Sequence, residues 1–558
     1  MLEELKQAFV EHNEKAILNF IQNEQYVDIL KANPWEIIPH FVQNLNKKTA
    51  HEYPNFYRCI ISTLNTIPES VDPDDIVLIV IKEIQDVSED TTFLLLLKLL
   101  EEALIKLLPK NKINYLAWSL NAVQTYLKEL PAPENYNLQE KEKLLMDADL
   151  TVDRISKLYY DMIPFYDMIT SIIKTNNDVD HKILLLKSLL QLFGHPLLYL
   201  DMDISDKPKS KARLVSENLI IKVIEIQPDT YKFLDEEFCT DHEDIKITPI
   251  SLSVFYYLHF AEYVGLANSP KVYNPIFIFQ NTLPFVVNLL TMDHQFVLEK
   301  GLKLMFALLQ TTSNLPYQLL DSDIHSKFCK SMTNIIIYNS MESYRKNSLK
   351  LFHDYLYKFD YRGRYLLIYN ITKCVDNISL TSYIITQYKQ MLVEQFQKSD
   401  SMNPYYRGSK LATLLSMFCH LQNGVETDLV KSADQIVATL NLLRYLVIRD
   451  KTNLTDIWNN LKQLQKSFLE PLWEALILSK AHYNLKLKEL TDENVHGNNV
   501  TGDDKVSVSI EGKHLPDLTQ SEKLSVINLS VTAFDVIESL LSRLNECIEY
   551  GYSVRNEK

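Results

Sequence analysis

Apolar residues recur along this chain in stretches of about 12 to 20 residues at the three-and-four spacing of an amphipathic helix. Pro, Asn or Asp stands between the stretches. In residues 181–193, Ile183, Leu186, Leu189, Leu190 and Phe193 crowd one broad face. Gly194 then stands where a helix C-cap is wanted, and Pro196 blocks continuation. Pro34, Pro109, Pro131, Pro133, Pro164, Pro228, Pro284, Pro316 and Pro404 are expected to punctuate the pattern in the same way. The most apolar run, residues 93–108, is short for a bilayer and carries Lys98, Glu101, Glu102 and Lys106, so it predicts a buried helix of a large α protein. Residues 521–550 predict a long closing helix with Leu524, Ile527, Val531, Phe534, Ile537, Leu541, Leu544 and Ile548 on one side.

Three stretches break the pattern. Residues 201–213 are polar and predict a loop, residues 238–244 are acidic, and residues 491–505 read as a flexible linker rich in Asn, Asp and Gly. After the linker, residues 506–510 alternate apolar and polar, and Glu511-Gly512 supplies a turn, which predicts a small β-hairpin near residues 506–515. Helices of this length with short joints suit stacked pairs, so the expected fold is all-α, an irregular HEAT/armadillo-like helical-repeat solenoid. No fixed-period consensus recurs. The expected division is a helical-repeat region at 1–290 and a second at 291–558.

Composition sharpens this picture. Only 10 glycines occur among 558 residues, and none precedes Gly194. Rossmann-type and β-rich folds need glycine for tight turns and close backbone approach, so both are disfavoured. Hydrophobic residues make up 46% and charged residues 23%, a folded rather than a disordered balance. A net charge of −15 repels phosphate backbones, which argues against nucleic acid as the partner. Six cysteines are scattered with no CxxC pair, as expected of buried thiols in a reducing compartment. The first residues lack a basic stretch followed by an apolar run, so no signal peptide is predicted and the expected location is cytoplasmic, with the nucleus also open.

No zinc, phosphate-loop or nucleophile-elbow spacing is present, so neither a cofactor nor a metal site is predicted. Cys419-His420 follows an apolar run and reads as core packing rather than a catalytic pair. Asp201, Asp203 and Ser205 begin like a calcium loop, but Asp206 replaces the required glycine and Ala212 the bidentate carboxylate. Lys207, Lys209, Lys211 and Arg213 form a small basic tract, read either as a solvated loop or as an import or docking element. The 31 tyrosines suit half-buried positions in a helical array. Residue chemistry alone reaches a helical scaffold with no visible active site.

More specific blocks lie in the C-terminal third. Glu426-Thr-Asp-Leu429, Leu440-Asn-Leu-Leu-Arg-Tyr-Leu-Val-Ile-Arg-Asp450, Phe468-Leu-Glu-Pro-Leu472 and Ser479-Lys-Ala-His-Tyr483 occur in order. Together they resemble the glomulin family. Weaker echoes are Gly194-His-Pro-Leu-Leu198, Lys300-Gly-Leu-Lys-Leu304 and Arg345-Lys-Asn-Ser-Leu349, then Val508-Ser-Ile-Glu-Gly512 and Phe534-Asp-Val-Ile-Glu-Ser-Leu540. The resemblance spans nearly the whole chain, although residues 1–180 match in helical character only. It implies a HEAT-like fold and a C-terminal region that grips the RING-box subunit of cullin-RING ubiquitin ligases. Such a grip covers the docking surface of the ubiquitin-conjugating enzyme, an inhibition needing no catalytic group. It also implies an immunophilin partner. A helical scaffold or adaptor for trafficking or receptor tails is the alternative reading, and a monomer suffices for either.

Within that region, Leu440, Leu443 and Val447 are expected to face the core, and Asn441 and Arg444 to share another face. An Arg flanked by Asn suits a polar anchor, because a guanidinium fork binds carbonyls and carboxylates at fixed geometry. Asn441 and Arg444 are therefore the first candidates for partner contact, and salt-bridging a neighbouring helix is the plainer role for Arg444. Lys480, His482 and Tyr483 form the second candidate patch, with pinning to a neighbouring helix as their plainer role. Lys389 and Arg364 are included only as basic residues of the same region.

Overall fold

In a computed structural model of the chain, the described residues are 2–21, 25–110, 112–138, 140–176, 178–204, 209–234, 247–398, 402–495, 509–510, 513–514 and 520–556. Helices dominate them, and the only paired strands among them are β1 (Ser509–Ile510) and β2 (Lys513–His514). The strands run antiparallel with Ser509 opposite His514. The chain forms two compact units, one of Met1–Ser313 with Ser322–Tyr355 and the other of Asn314–Asp321 with Leu356–Lys558. Each is a set of paired helices, the all-α repeat fold expected from the sequence.

In the first unit, α1 (Asp90–Leu107) is the apolar run, and Phe93, Leu96, Leu100 and Leu104 are fully buried in it. The Phe93 ring stacks on Tyr126 with centroids 3.9 Å apart. Asp178 caps α2 (Val179–Gln191), its carboxylate accepting from the Asp180 and His181 amides at 2.9 and 3.3 Å. Gly194 is required for a different reason from the expected C-cap. A Cβ there would lie 2.4 Å from Ser251 Oγ and 3.1 Å from the Gln191 carbonyl oxygen, so any side chain would have to displace the Ser251 hydroxyl.

Two sequence expectations need correction in this unit. Pro164 and Pro284 do not break the pattern; each lies inside a helix, Leu150–Asn176 and α4 (Pro275–Leu290) respectively. Their neighbours Ile163, Phe165, Leu283 and Val286 are buried, and that tertiary burial offsets the one lost backbone hydrogen bond. The predicted polar loop at 201–213 also ends early, because α3 (Lys211–Ile226) begins inside it with Ser210 capping the Arg213 amide at 3.2 Å. Arg213 is 1% exposed rather than part of a solvated basic tract. Its guanidinium donates to Glu217 at 2.7 Å, Glu262 at 2.7 Å and the Met202 carbonyl at 2.9 Å. A buried cation is tolerated only when paired and hydrogen-bonded in this way. Lys209 and Lys211 are ion-paired to Glu217 and Asp153, while Lys207 and the acidic stretch 238–244 lie outside the described residues.

The next helix, α5 (Gln295–Thr311), buries Lys300 completely, its ammonium donating to the carbonyls of Leu198, Leu200 and Phe296 at 3.0, 2.7 and 3.2 Å. Burial pushes its pKa down to about 8, against the pull of Asp201 and Glu299.

The second unit contains α6 (Tyr361–Cys374), α7 (Ile378–Gln397), α8 (Gly408–Phe418), α9 (Leu429–Arg449), α10 (Ile457–Leu464), α11 (Glu470–Val495) and α12 (Gln520–Asn556). Asp360, Asn377 and Asp428 cap α6, α7 and α9 through their side-chain oxygens. The central helix is α9, which packs against both α7 and α12, and α12 packs in turn on α11. Leu440, Leu443 and Val447 of α9 are buried as expected. So are Ile527, Phe534, Ile537, Leu541, Leu544 and Ile548 of α12, while Leu524 and Val531 are half-buried. By length and composition, Ser521–Arg555 is apolar enough to cross a membrane, but it already has this buried face within the unit. Of the expected linker, residues 491–495 continue α11, and residues 496–505 lie outside the described residues. Residues 506–508, 511–512 and 515 of the expected hairpin also lie outside them.

Burial pushes the imidazoles of His259, His294 and His325 in the first unit down to about 4. The unfolded chain takes up these protons near pH 6.5, and the folded chain refuses them until about pH 4. The stability they contribute is therefore complete above that window and is lost as pH falls through it. Urea unfolding should show a lower midpoint at about pH 5 than at about pH 7. The His259→Gln variant should show a smaller drop than the parent chain; an equal drop would mean His259 contributes nothing.

Candidate partner-binding surface

The C-terminal helices assemble around Asp450, which ends α9 and is 1% exposed. Its carboxylate accepts from the Leu454 amide at 2.7 Å and from the Thr455 amide and hydroxyl at 2.8 and 2.5 Å. Its backbone carbonyl accepts from Trp458 Nε1 at 2.9 Å and Arg555 Nη2 at 3.1 Å. The Arg555 guanidinium also lies over the Trp458 ring, 4.2 Å from its centroid. This arrangement turns the chain from α9 into α10 and fastens the end of α12 to both. Gly551 completes the seat, since a Cβ there would lie 2.0 Å from the Trp458 ring.

A π-turn at Gln465–Leu469 joins α10 to α11. On α11, Leu472, Ala475 and Leu476 face the core. Lys480 reaches α12, donating to Asp535 Oδ1 at 2.6 Å and Glu538 Oε2 at 2.5 Å. Burial opposes its charge, but the two carboxylates outweigh it and hold the Lys480 pKa above the usual lysine value. Tyr483 sets its ring edge-on against Phe534, with centroids 5.1 Å apart, and burial pushes its pKa up. His482 points outward and is exposed, touching only the edge of Tyr483 at 5.7 Å among the ring contacts. Two of the three residues in this expected patch therefore fasten α11 to α12.

The other candidates fall elsewhere. Asn441 and Arg444 are half-buried on α9, and Arg444 Nε is enclosed without a hydrogen-bond partner. Lys389 is half-buried on α7. Arg364 donates to the Phe359 carbonyl at 2.8 Å and the Tyr357 carbonyl at 2.6 Å, with the Tyr357 ring 4.8 Å away. It therefore ties the turn before α6 to its first residues. Cys419 is buried, which pushes its thiol pKa up, and the neighbouring His420 is exposed. Among the described residues no cluster of three or more His, Cys, Asp or Glu is placed to hold a metal ion.

Four large apolar side chains are exposed on α11, with Glu474, His482 and Asn484 exposed among them. Trp473, Ile477, Leu478 and Leu485 are 38%, 55%, 57% and 58% exposed. Sequence reasoning passed over them, although Leu472-Trp-Glu-Ala-Leu-Ile-Leu478 is apolar around more of the helix than one neighbour covers. His482 is exposed beside these residues.

These features define an all-α helical-repeat protein built to present surfaces. The chain belongs to the family described as uncharacterised protein family, YAP/Alf4/glomulin, whose model matches residues 195–539. It is 26% identical to glomulin of Mus musculus over 555 residues, covering 96% of this chain and 90% of that protein. Glomulin of Homo sapiens is 26% identical over 559 residues, with the same coverage. Among solved structures, the karyopherin Kap121p bound to the extreme C-terminus of the protein phosphatase Cdc14p aligns at a TM-score of 0.24 and 11% identity, over 95% of this chain and 57% of that one.

Two stability measurements check the Asp450 junction. Gly551→Ala should destabilise the second unit by about 1–3 kcal/mol through overpacking against Trp458. Asp450→Ala should cost about 2–4 kcal/mol, because it leaves the Leu454 and Thr455 donors buried without an acceptor. Thermal unfolding of each variant reads both, and an unchanged midpoint would mean the junction does not carry the unit.

Proposed function

We propose that the chain is a non-enzymatic inhibitor of cullin-RING ubiquitin ligases. It binds the RING-box subunit and masks the surface at which the ubiquitin-conjugating enzyme docks. Family membership supports this reading, and the observation that carries it is the exposed apolar face of α11, with Trp473, Ile477, Leu478 and Leu485 beside His482. Inhibition by occlusion needs only a surface with a few well-placed anchors, and Trp, Tyr and Arg are the usual ones, a role Trp473 suits. Rigid presentation matters as much as contact area, because a pre-set surface loses less freedom on binding. The Lys480 ion pairs and the Tyr483–Phe534 contact hold α11 on α12 and supply that rigidity.

A reconstituted ubiquitination assay on a neddylated cullin-RING core tests this. The chain should suppress ubiquitin transfer in proportion to its concentration, and excess free RING-box subunit should relieve the suppression. The double variant Trp473→Glu/Ile477→Glu should need at least about tenfold more protein for the same suppression, a loss of about 1.4 kcal/mol in binding. Full transfer in the presence of the parent chain would overturn the reading. Equal suppression by the variant would move the contact off α11.

A further inference from the structure

The second unit carries another surface, on α6. Tyr361, Tyr365, Tyr369 and Lys373 follow at four-residue spacing and so share one face over about 18 Å. The turns Tyr317–Asp321 and Pro404–Tyr406 and the helix α8 all pack against α6. Lys410 of α8, Lys398 at the end of α7, and Arg362 and Lys373 of α6 itself each lie over a tyrosine ring. Lys398 lies 5.0 Å from the Tyr361 centroid, Lys410 5.5 Å from Tyr365, and Lys373 6.0 Å from Tyr369. Arg362 lies 3.7 Å from the Tyr317 centroid. All four cations are exposed.

Three carboxylates of this region accept hydrogen bonds from other groups, Asp376 among them from Gln422 Nε2 at 3.3 Å. Asp360 accepts from the Gly363 amide at 2.7 Å and the Tyr317 amide at 3.1 Å. Asp456 accepts from Asn459 Nδ2 at 3.3 Å. Among the described residues, Arg362, Lys373, Lys398 and Lys410 make no ion pair. Other exposed lysines, Lys174, Lys211 and Lys346 of the first unit, each hold a carboxylate at 2.6 to 2.7 Å. Four uncompensated cations on one face are conspicuous in a chain whose net charge is −15.

We propose that this face of α6 binds an acidic polypeptide segment of another protein, seating its carboxylates between the four cations. Held over tyrosine rings, the lysine and arginine heads lose part of their freedom before a partner arrives, which lowers the cost of ordering them. The arrangement disfavours single-stranded nucleic acid, which is gripped by stacking bases on open aromatic faces. Here the cations cover those faces, and the remaining charge of the chain repels a phosphate backbone. The proposal is independent of RING capping, which uses α11.

Fluorescence anisotropy with the full chain and a fluorescein-labelled decaglutamate peptide tests it. The parent chain should bind the peptide, and binding should weaken as salt is added. The triple variant Arg362→Glu/Lys373→Glu/Lys410→Glu should bind at least about tenfold more weakly, with the thermal midpoint confirming that it folds. Reversing the exposed Lys31, Lys82 and Lys128 of the first unit should leave affinity unchanged. Should the triple variant fail to fold, the neutral pair Lys373→Gln/Lys410→Gln should still weaken binding about threefold. No binding by the parent chain, or equal losses in the two reversed variants, would overturn the proposal. Tighter binding of a ten-nucleotide single strand than of the peptide would overturn it in favour of nucleic acid.

Discussion

At the end of α9, donors from Leu454, Thr455, Trp458 and Arg555 converge on one buried residue, Asp450. A carboxylate removed from water is costly unless its lone pairs are filled, and here backbone amides and a hydroxyl fill them. The consequence reaches beyond the turn. The same residue sets the direction of α10, and through Arg555 it fixes the end of α12. Because α12 packs on both α9 and α11, the placement of α11 and its outward apolar face depends on this junction. Among the described residues of the second unit, hydrogen bonds, ion pairs and packing hold α11 in place, and its cysteines are free.

Much of this was legible in the residue pattern. The wide apolar faces of 93–108, α9 and α12 are buried as their spacing predicts, because a helix with such a face has no alternative to a neighbour. Asp428 ahead of α9, like Asp178, Asp360 and Asn377 ahead of α2, α6 and α7, caps its helix for a purely local reason, the geometry of a side-chain oxygen against the first free amides. The misreadings share a different cause. Pro164 and Pro284 sit inside helices and Arg213 sits in the core, and in each case distant packing or a distant carboxylate overrides the local preference. Local sequence carries no record of Glu262 standing beside Arg213.

The candidate surface divides along the same line. Lys480 and Tyr483 stood out because they are chemically conspicuous, and they proved to be fasteners whose partners, Asp535, Glu538 and Phe534, lie more than fifty residues away in the chain. The residues left facing outward on α11 are plain hydrophobes. In isolation these are indistinguishable from core, and only the count of neighbours around the helix separates the two. Charge behaves similarly. A bulk value of −15 concealed a face of α6 where cations stand on tyrosine rings without carboxylates.

Gly551 adds a constraint of another kind. The Trp458 ring occupies the space where a side chain would stand, so α12 has a single notch for it. One turn earlier the helix offers Cys547 or Ile548, and one turn later Val554 or Arg555, none of which leaves that space empty. Apolar burial is non-directional, so the buried face of α12 by itself sets the helix's position along its neighbours only loosely. The notch acts as a detent: it gives α12 one seat, and so sets the register in which the helix meets the rest of the unit.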